Sequence, residues 1–165
     1  MKRFILAFVL ICLILPNVFG QDRKNTVYVD IFPMGNGIFS GGAGLGFGYD
    51  YSINQYFSIG GLVNYFGNFN ENNTYSLILM GKYFPIETEI GKPYIDAGFG
   101  YRRRLSEEDD VNCLVGTSHL GFKFIFKNGL VLDPAFGFRY NLITLSGSEN
   151  YMFSFNIKAI IGWMF

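Results

Sequence analysis

Four charged side chains recur at matching positions on four neighbouring segments, and they are the first candidates for chemistry. Lys82, Asp96, Lys123 and Asp133 each lie about three or four residues from a tight or Pro/Gly-containing turn, and their signs alternate along the chain. If those segments pair side by side with these residues on one face, the charges form a ring of plus, minus, plus and minus. Buried charges persist only when paired, so such a ring would close an interior with salt bridges. A narrow gated path for protons or small solutes is the functional alternative. Asp30, Arg102, Arg139 and Lys158 would make a second interior tier with a positive excess. His119 is the single histidine, so any enzymatic reading depends on it. Ser118 cannot act as its nucleophile from the same strand, because adjacent residues point to opposite faces. One His and two Cys are too few for a convincing zinc site. No metal and no cofactor is expected. The glycines Gly41, Gly42, Gly44, Gly46 and Gly48 do not fit a phosphate-cradling G-x-G-x-x-G, and no helix follows them.

The elements that must position these residues are strands. From Tyr151, every second residue is apolar: Phe153, Phe155, Ile157, Ala159, Ile161, Trp163 and Phe165, with Ser154, Asn156, Lys158 and Gly162 between them. A period of two is a strand with one apolar and one polar face. This run exceeds an ordinary strand of about 5–6 residues and suits a tilted membrane crossing, which needs about 9–11. Gly- and Asn-rich breaks divide the rest of the chain in the same rhythm. The expected segments are 26–33, 38–51, 56–66, 74–84, 93–103, 112–126, 130–141 and 151–165. The fourth is the weak member, since Ile78 and Met80 fall on its polar face. Pro134 lacks a ladder donor and predicts a bulge in the seventh.

Composition narrows the class. Lys and Arg number 13, as do Asp and Glu, so balanced charge gives no reason to propose a nucleic-acid partner. Only 16% of residues are charged, 19% are aromatic and 21 are glycine, which does not describe a solvated surface. Lys2 and Arg3 precede an uncharged apolar run from Phe4 to Leu15, and Val18-Phe19-Gly20 offers a cleavage site before Gln21. Residues 1–20 are therefore expected to be a cleaved export signal, and 21–165 one domain. Cys113 is then alone, a quiet strand residue or a lone reactive thiol, with no disulfide available.

The connections alternate between short turns and longer polar loops, the pattern of barrels that cross an outer membrane. The apolar face carries Tyr49, Tyr51, Tyr83 and Trp163 at one end and Tyr65, Tyr75, Tyr101 and Tyr140 at the other. Leu45, Ile59, Leu79, Ala97 and Ile157 lie between. Two aromatic girdles around an aliphatic band suit a lipid-facing surface. A soluble lipocalin-like barrel, with the apolar set inside, is the competing arrangement.

On these features residues 25–165 resemble the small eight-stranded bacterial outer-membrane β-barrels of the OmpX, OmpW and OmpA-transmembrane-domain kind. The resemblance implies an all-β, antiparallel, up-and-down transmembrane barrel, monomeric, in the bacterial outer membrane, with lipid and the barrel assembly machinery as partners. It also implies that Ala159, Ile161, Trp163 and Phe165 form the signal read at assembly. A non-enzymatic structural or surface-interaction role is expected. The rivals are a narrow solute channel and a lipid-modifying enzyme built on His119. Deleting Phe165 should lower outer-membrane yield in cells, measured by fractionation. The purified variant should still refold in detergent, since one ring at the interface stabilises by at most about 1.5–3 kcal/mol.

Overall fold

The computed structural model describes residues 24–31, 42–68, 73–106, 110–147 and 153–165. Residues 1–20, the 34–37 connection and the acidic residues 107–109 lie outside that set. Eight strands make one sheet closed on itself: β1 (Asn25–Asp30), β2 (Gly42–Ser52), β3 (Phe57–Asn68), β4 (Asn73–Tyr83), β5 (Gly91–Leu105), β6 (Val111–Ile125), β7 (Leu130–Ser146) and β8 (Phe153–Met164). Each pairs antiparallel with its sequence neighbour, and β8 returns to β1. Asn25 and Phe165 exchange two backbone hydrogen bonds of 3.0 and 2.8 Å at the seam. The protein is therefore an all-β, up-and-down, eight-stranded antiparallel barrel, and β2 to β8 run for 11 to 17 residues.

Local chemistry sets the turns. After β2, the Asn54 side-chain oxygen accepts the backbone N–H groups of Tyr56 (2.8 Å) and Phe57 (2.9 Å), which reverses the chain in a few residues. Between β6 and β7, Gly129 adopts φ 95°, a left-handed conformation that suits a residue without Cβ.

The apolar set points outward. Leu45, Phe47, Ile59, Val63, Leu79, Ile95, Phe136 and Phe155 are all exposed, and Phe99 is 64% exposed. Their alternates are buried: Asp50, Asn64, Lys82, Asp96, His119, Asp133 and Lys158. The lipocalin-like arrangement is thereby overturned. Trp163 shares the parity of exposed Ile161 but is only 9% exposed. The β6–β7 turn covers it, and a Cβ on Gly129 would stand 2.9 Å from the indole Nε1.

Two expectations are corrected. Pro134 causes no register shift: it pairs Ala159 on the β8 side, and the β6–β7 ladder has the same offset before and after it. Pro134 is exposed, so its ring points away from the interior. The irregularities lie at the other end of that pair, between Asn112 and Cys113 and between Leu114 and Val115. The interior is also not purely polar. Ile78 and Met80, which weakened the pattern of β4, pack inside with Tyr28, Leu62 and Ile160.

An eight-stranded barrel is just wide enough for its side chains to fill, and the inward glycines decide which side chains fit. A Cβ on Gly48 would overlap the Tyr28 ring, and one on Gly121 would overlap the Tyr94 ring. Gly121→Ala should therefore destabilise the barrel by about 1–3 kcal/mol through overpacking. Denaturant midpoints in detergent would measure this, and adding Tyr94→Leu should recover part of the loss.

Candidate functional site

The lumen holds two ionic clusters, and neither is the predicted ring. In the first, Lys82 of β4 reaches across the interior. Its Nζ lies 2.8 Å from Asp50 Oδ2 on β2 and 2.9 Å from Asp133 Oδ2 on β7. Each acid receives a second donor from a tyrosine. The Tyr28 hydroxyl donates to Asp50 Oδ1 at 3.2 Å, and the Tyr94 hydroxyl donates to Asp133 Oδ1. The same ammonium stands 5.5 Å from the Tyr28 ring centroid and 5.0 Å from that of Tyr94, close enough for both π faces to contribute. Five strands thus meet at one cation, whose side chain is 1% exposed.

Asp96 forms the centre of the second cluster. Its Oδ2 accepts from Lys158 Nζ at 3.0 Å, and its Oδ1 lies 2.6 Å from His119 Nδ1. The Asn156 side-chain amide donates to His119 Nε2 at 2.9 Å. With Nε2 accepting, the neutral ring carries its proton on Nδ1 and donates it to Asp96. Both ring nitrogens are thereby engaged.

The expected pairing of Asp96 with Lys82 and Lys123 is not the one adopted. Lys82 and Asp96 do stand directly opposite in the ladder. A four-carbon stem, however, lets an ammonium cross a narrow lumen as easily as it reaches its register neighbour. Two acids on β2 and β7 hold Lys82, while β6 and β8 supply the donors that take Asp96. Lys123 makes no ion pair among the described residues, and its Nζ donates to Thr26 Oγ1 at 3.1 Å. The predicted upper tier also divides. Lys158 joins Asp96, Asp30 accepts the Ala159 N–H at 3.3 Å, and Arg102 donates to Asn141 at 3.1 Å. Arg139 is buried on β7. Of the assembly-signal positions, Ala159 and Phe165 are half-buried, Ile161 is exposed and Trp163 is covered.

Sequence reasoning passed over Asp50, Tyr28, Tyr94 and Asn156. Parity alone placed Asp50 inside, between the outward Tyr49 and Tyr51, so a signal for it existed. Which cation it serves depends on reach across the lumen, which no spacing encodes.

The buried side chains include four acids (Asp30, Asp50, Asp96, Asp133) and four cations (Lys82, Lys123, Arg139, Lys158). Arg102, half-buried on the same face of β5 as Asp96, adds a further inward cation. Among the described residues, no three His, Cys, Asp or Glu side chains gather as metal ligands would. Ser118 is on the opposite face from His119, whereas Thr117 shares its face and is buried beside it on β6. Cys113 is fully buried with Val111 and Val115, and its Sγ is 3.9 Å from Thr144 Oγ1. No family model matches this sequence, and no curated protein matches it.

Lys82→Met should leave two buried carboxylates facing each other and cost about 3–5 kcal/mol. Adding Asp50→Asn and Asp133→Asn should recover part of that loss. Thermal or denaturant unfolding of the three proteins in detergent would measure both effects.

Proposed function

We propose that this protein is an exported, monomeric outer-membrane β-barrel with a structural or surface-interaction role, closed by its own side chains and without enzymatic activity. One observation carries the reading: the outward face of the sheet is predominantly apolar, while Asp50, Lys82, Asp96, Asp133 and Lys158 are buried inside. A closed sheet leaves no unpaired edge, and a membrane accepts only structures whose backbone groups are satisfied internally. Strands of 11 residues or more are long enough to cross hydrocarbon at a tilt. The exposed tyrosines support the two girdles. Tyr49, Tyr51 and Tyr83 lie towards the short turns, and Tyr65, Tyr75 and Tyr101 towards the long connections.

The lumen favours a plug over a channel. The rings of Tyr28 and Tyr94 fill the space left by Gly48 and Gly121, the apolar cluster fills the β3–β4 side, and ion pairs bridge the remainder. A lipid-modifying enzyme would need His119 with a nitrogen free to take a proton, and both are occupied. Lipid and the barrel assembly machinery are then the partners. The long connections are the parts available to meet anything outside, and Arg103 and Asp110 pair at 2.9 Å at the base of one of them.

The mature protein should partition with outer membranes and migrate faster on gels unboiled than boiled. It should also give no discrete conductance in planar bilayers. Recovery in the soluble periplasm with unchanged mobility would overturn the membrane placement, and stepwise single-channel currents would replace the plug with a pore.

A further inference from the structure

At the turn end the barrel opens into a cavity of about 380 Å³, separate from the two ionic clusters, whose wall is cationic. Lys24, Lys92 and Lys123 all line it, against one acid, Glu87. Glu87 is largely exposed and pairs with Lys92 at 3.1 Å. The decisive residue is Lys123. It is 2% exposed, and its one hydrogen bond goes to a neutral hydroxyl, Thr26 Oγ1. An ammonium carries three donors, so two of its N–H groups have no acceptor among the described residues. Asp50 and Asp133 are already committed to Lys82 and the two tyrosines. A desolvated cation without a carboxylate partner is costly, and here it stands in the wall of a cavity.

The neutral lining is suited to the same kind of ligand. Asn54 spends its side-chain oxygen on two backbone N–H groups, which leaves its amide NH2 as a donor. Ser52 and Gln55 add further donor groups to the wall. Phe84 in the cavity wall packs against Tyr94 of the Lys82 cluster, with ring centroids 5.7 Å apart. We infer that the turn-end cavity is a binding site for a phosphate-class oxyanion, held by Lys123 at depth and Lys92 at the rim. The oxyanion would accept the unused donors of Lys123 and supply the charge that no acid of the wall provides. Glu87 competes with it for Lys92. At the mouth of a barrel the phosphate can be free in solution or part of a phospholipid headgroup.

The test is titration of inorganic phosphate into the mature chain refolded in octyl glucoside, at ionic strength fixed with sodium chloride, read by calorimetry. Saturable binding is expected, weakened at least about tenfold in Lys123→Met, the loss appropriate to a charge-assisted hydrogen bond. Glu87→Gln, at an exposed position that leaves the fold untouched, should tighten binding by freeing Lys92. If Lys123→Met does not refold, the sign of the Glu87→Gln effect decides alone. Repeating the titration with phosphatidylglycerol in the micelles identifies the source. Displacement of phosphate by that lipid assigns the site to a headgroup, and unchanged binding assigns it to the free ion. No saturable binding, equal binding by parent and Lys123→Met, or weaker binding by Glu87→Gln would overturn the proposal.

Discussion

Lys82 is the constraint around which the interior is arranged. An ammonium with almost no access to water must be neutralised and hydrogen-bonded, and this one is served by groups from four other strands. Asp50 and Asp133 supply the charge, and Tyr28 and Tyr94 hold those acids in place while their rings flank the cation. The tyrosines are too large for an eight-stranded lumen unless the wall opposite recedes, and glycines at positions 48 and 121 let it do so. Gly48 on the inner face of β2 thus serves the seating of a lysine, while Gly46 makes room for Asn64. Because the acids are used in this way, Lys123 is left to a threonine, and Asp96 to Lys158 and His119.

The strands and their facing were legible because a period of two needs only local information. Each residue's side of the sheet follows from its parity, and parity placed Asp50, Lys82, His119 and Lys158 correctly inside. Ion partners are a different matter. Register neighbours such as Lys82 and Asp96 are what a flat drawing of the sheet suggests, but closure brings β2 and β7 within reach of β4. A long side chain then chooses among acids that are distant along the sheet. Ile78 and Met80 looked like errors of patterning for a related reason. An interior this narrow needs bulk as well as charge, and Ile78 and Met80 supply part of that bulk. The Pro134 expectation failed because a missing N–H on one strand can be skipped without inserting a residue.

The interior also divides by element. The apolar cluster comes from β1, β3, β4 and β8, whereas Asp96, His119, Asn156 and Lys158 come from β5, β6 and β8. Buried polar groups nevertheless occur on every strand, so hydrocarbon and polar side chains interleave inside the barrel. Tyr28 joins the two environments, with its ring in the apolar cluster and its hydroxyl on Asp50. A tyrosine is suited to that position because it presents an apolar body and a polar tip.

The two hydrogen bonds between Asn25 and Phe165 have a consequence in time rather than in space. They join β1 to β8, so the sheet cannot close until β8 has been delivered. Until then β1 keeps one edge bare, and a bare edge is a template for any other strand nearby. The entropic cost of the final step rises only slowly with the length of chain between its ends, by about 0.6 kcal/mol per doubling. Delay, then, is a greater hazard than distance. The bare edge of β1 is open to mispairing throughout that interval, and the exposure ends when β8 arrives.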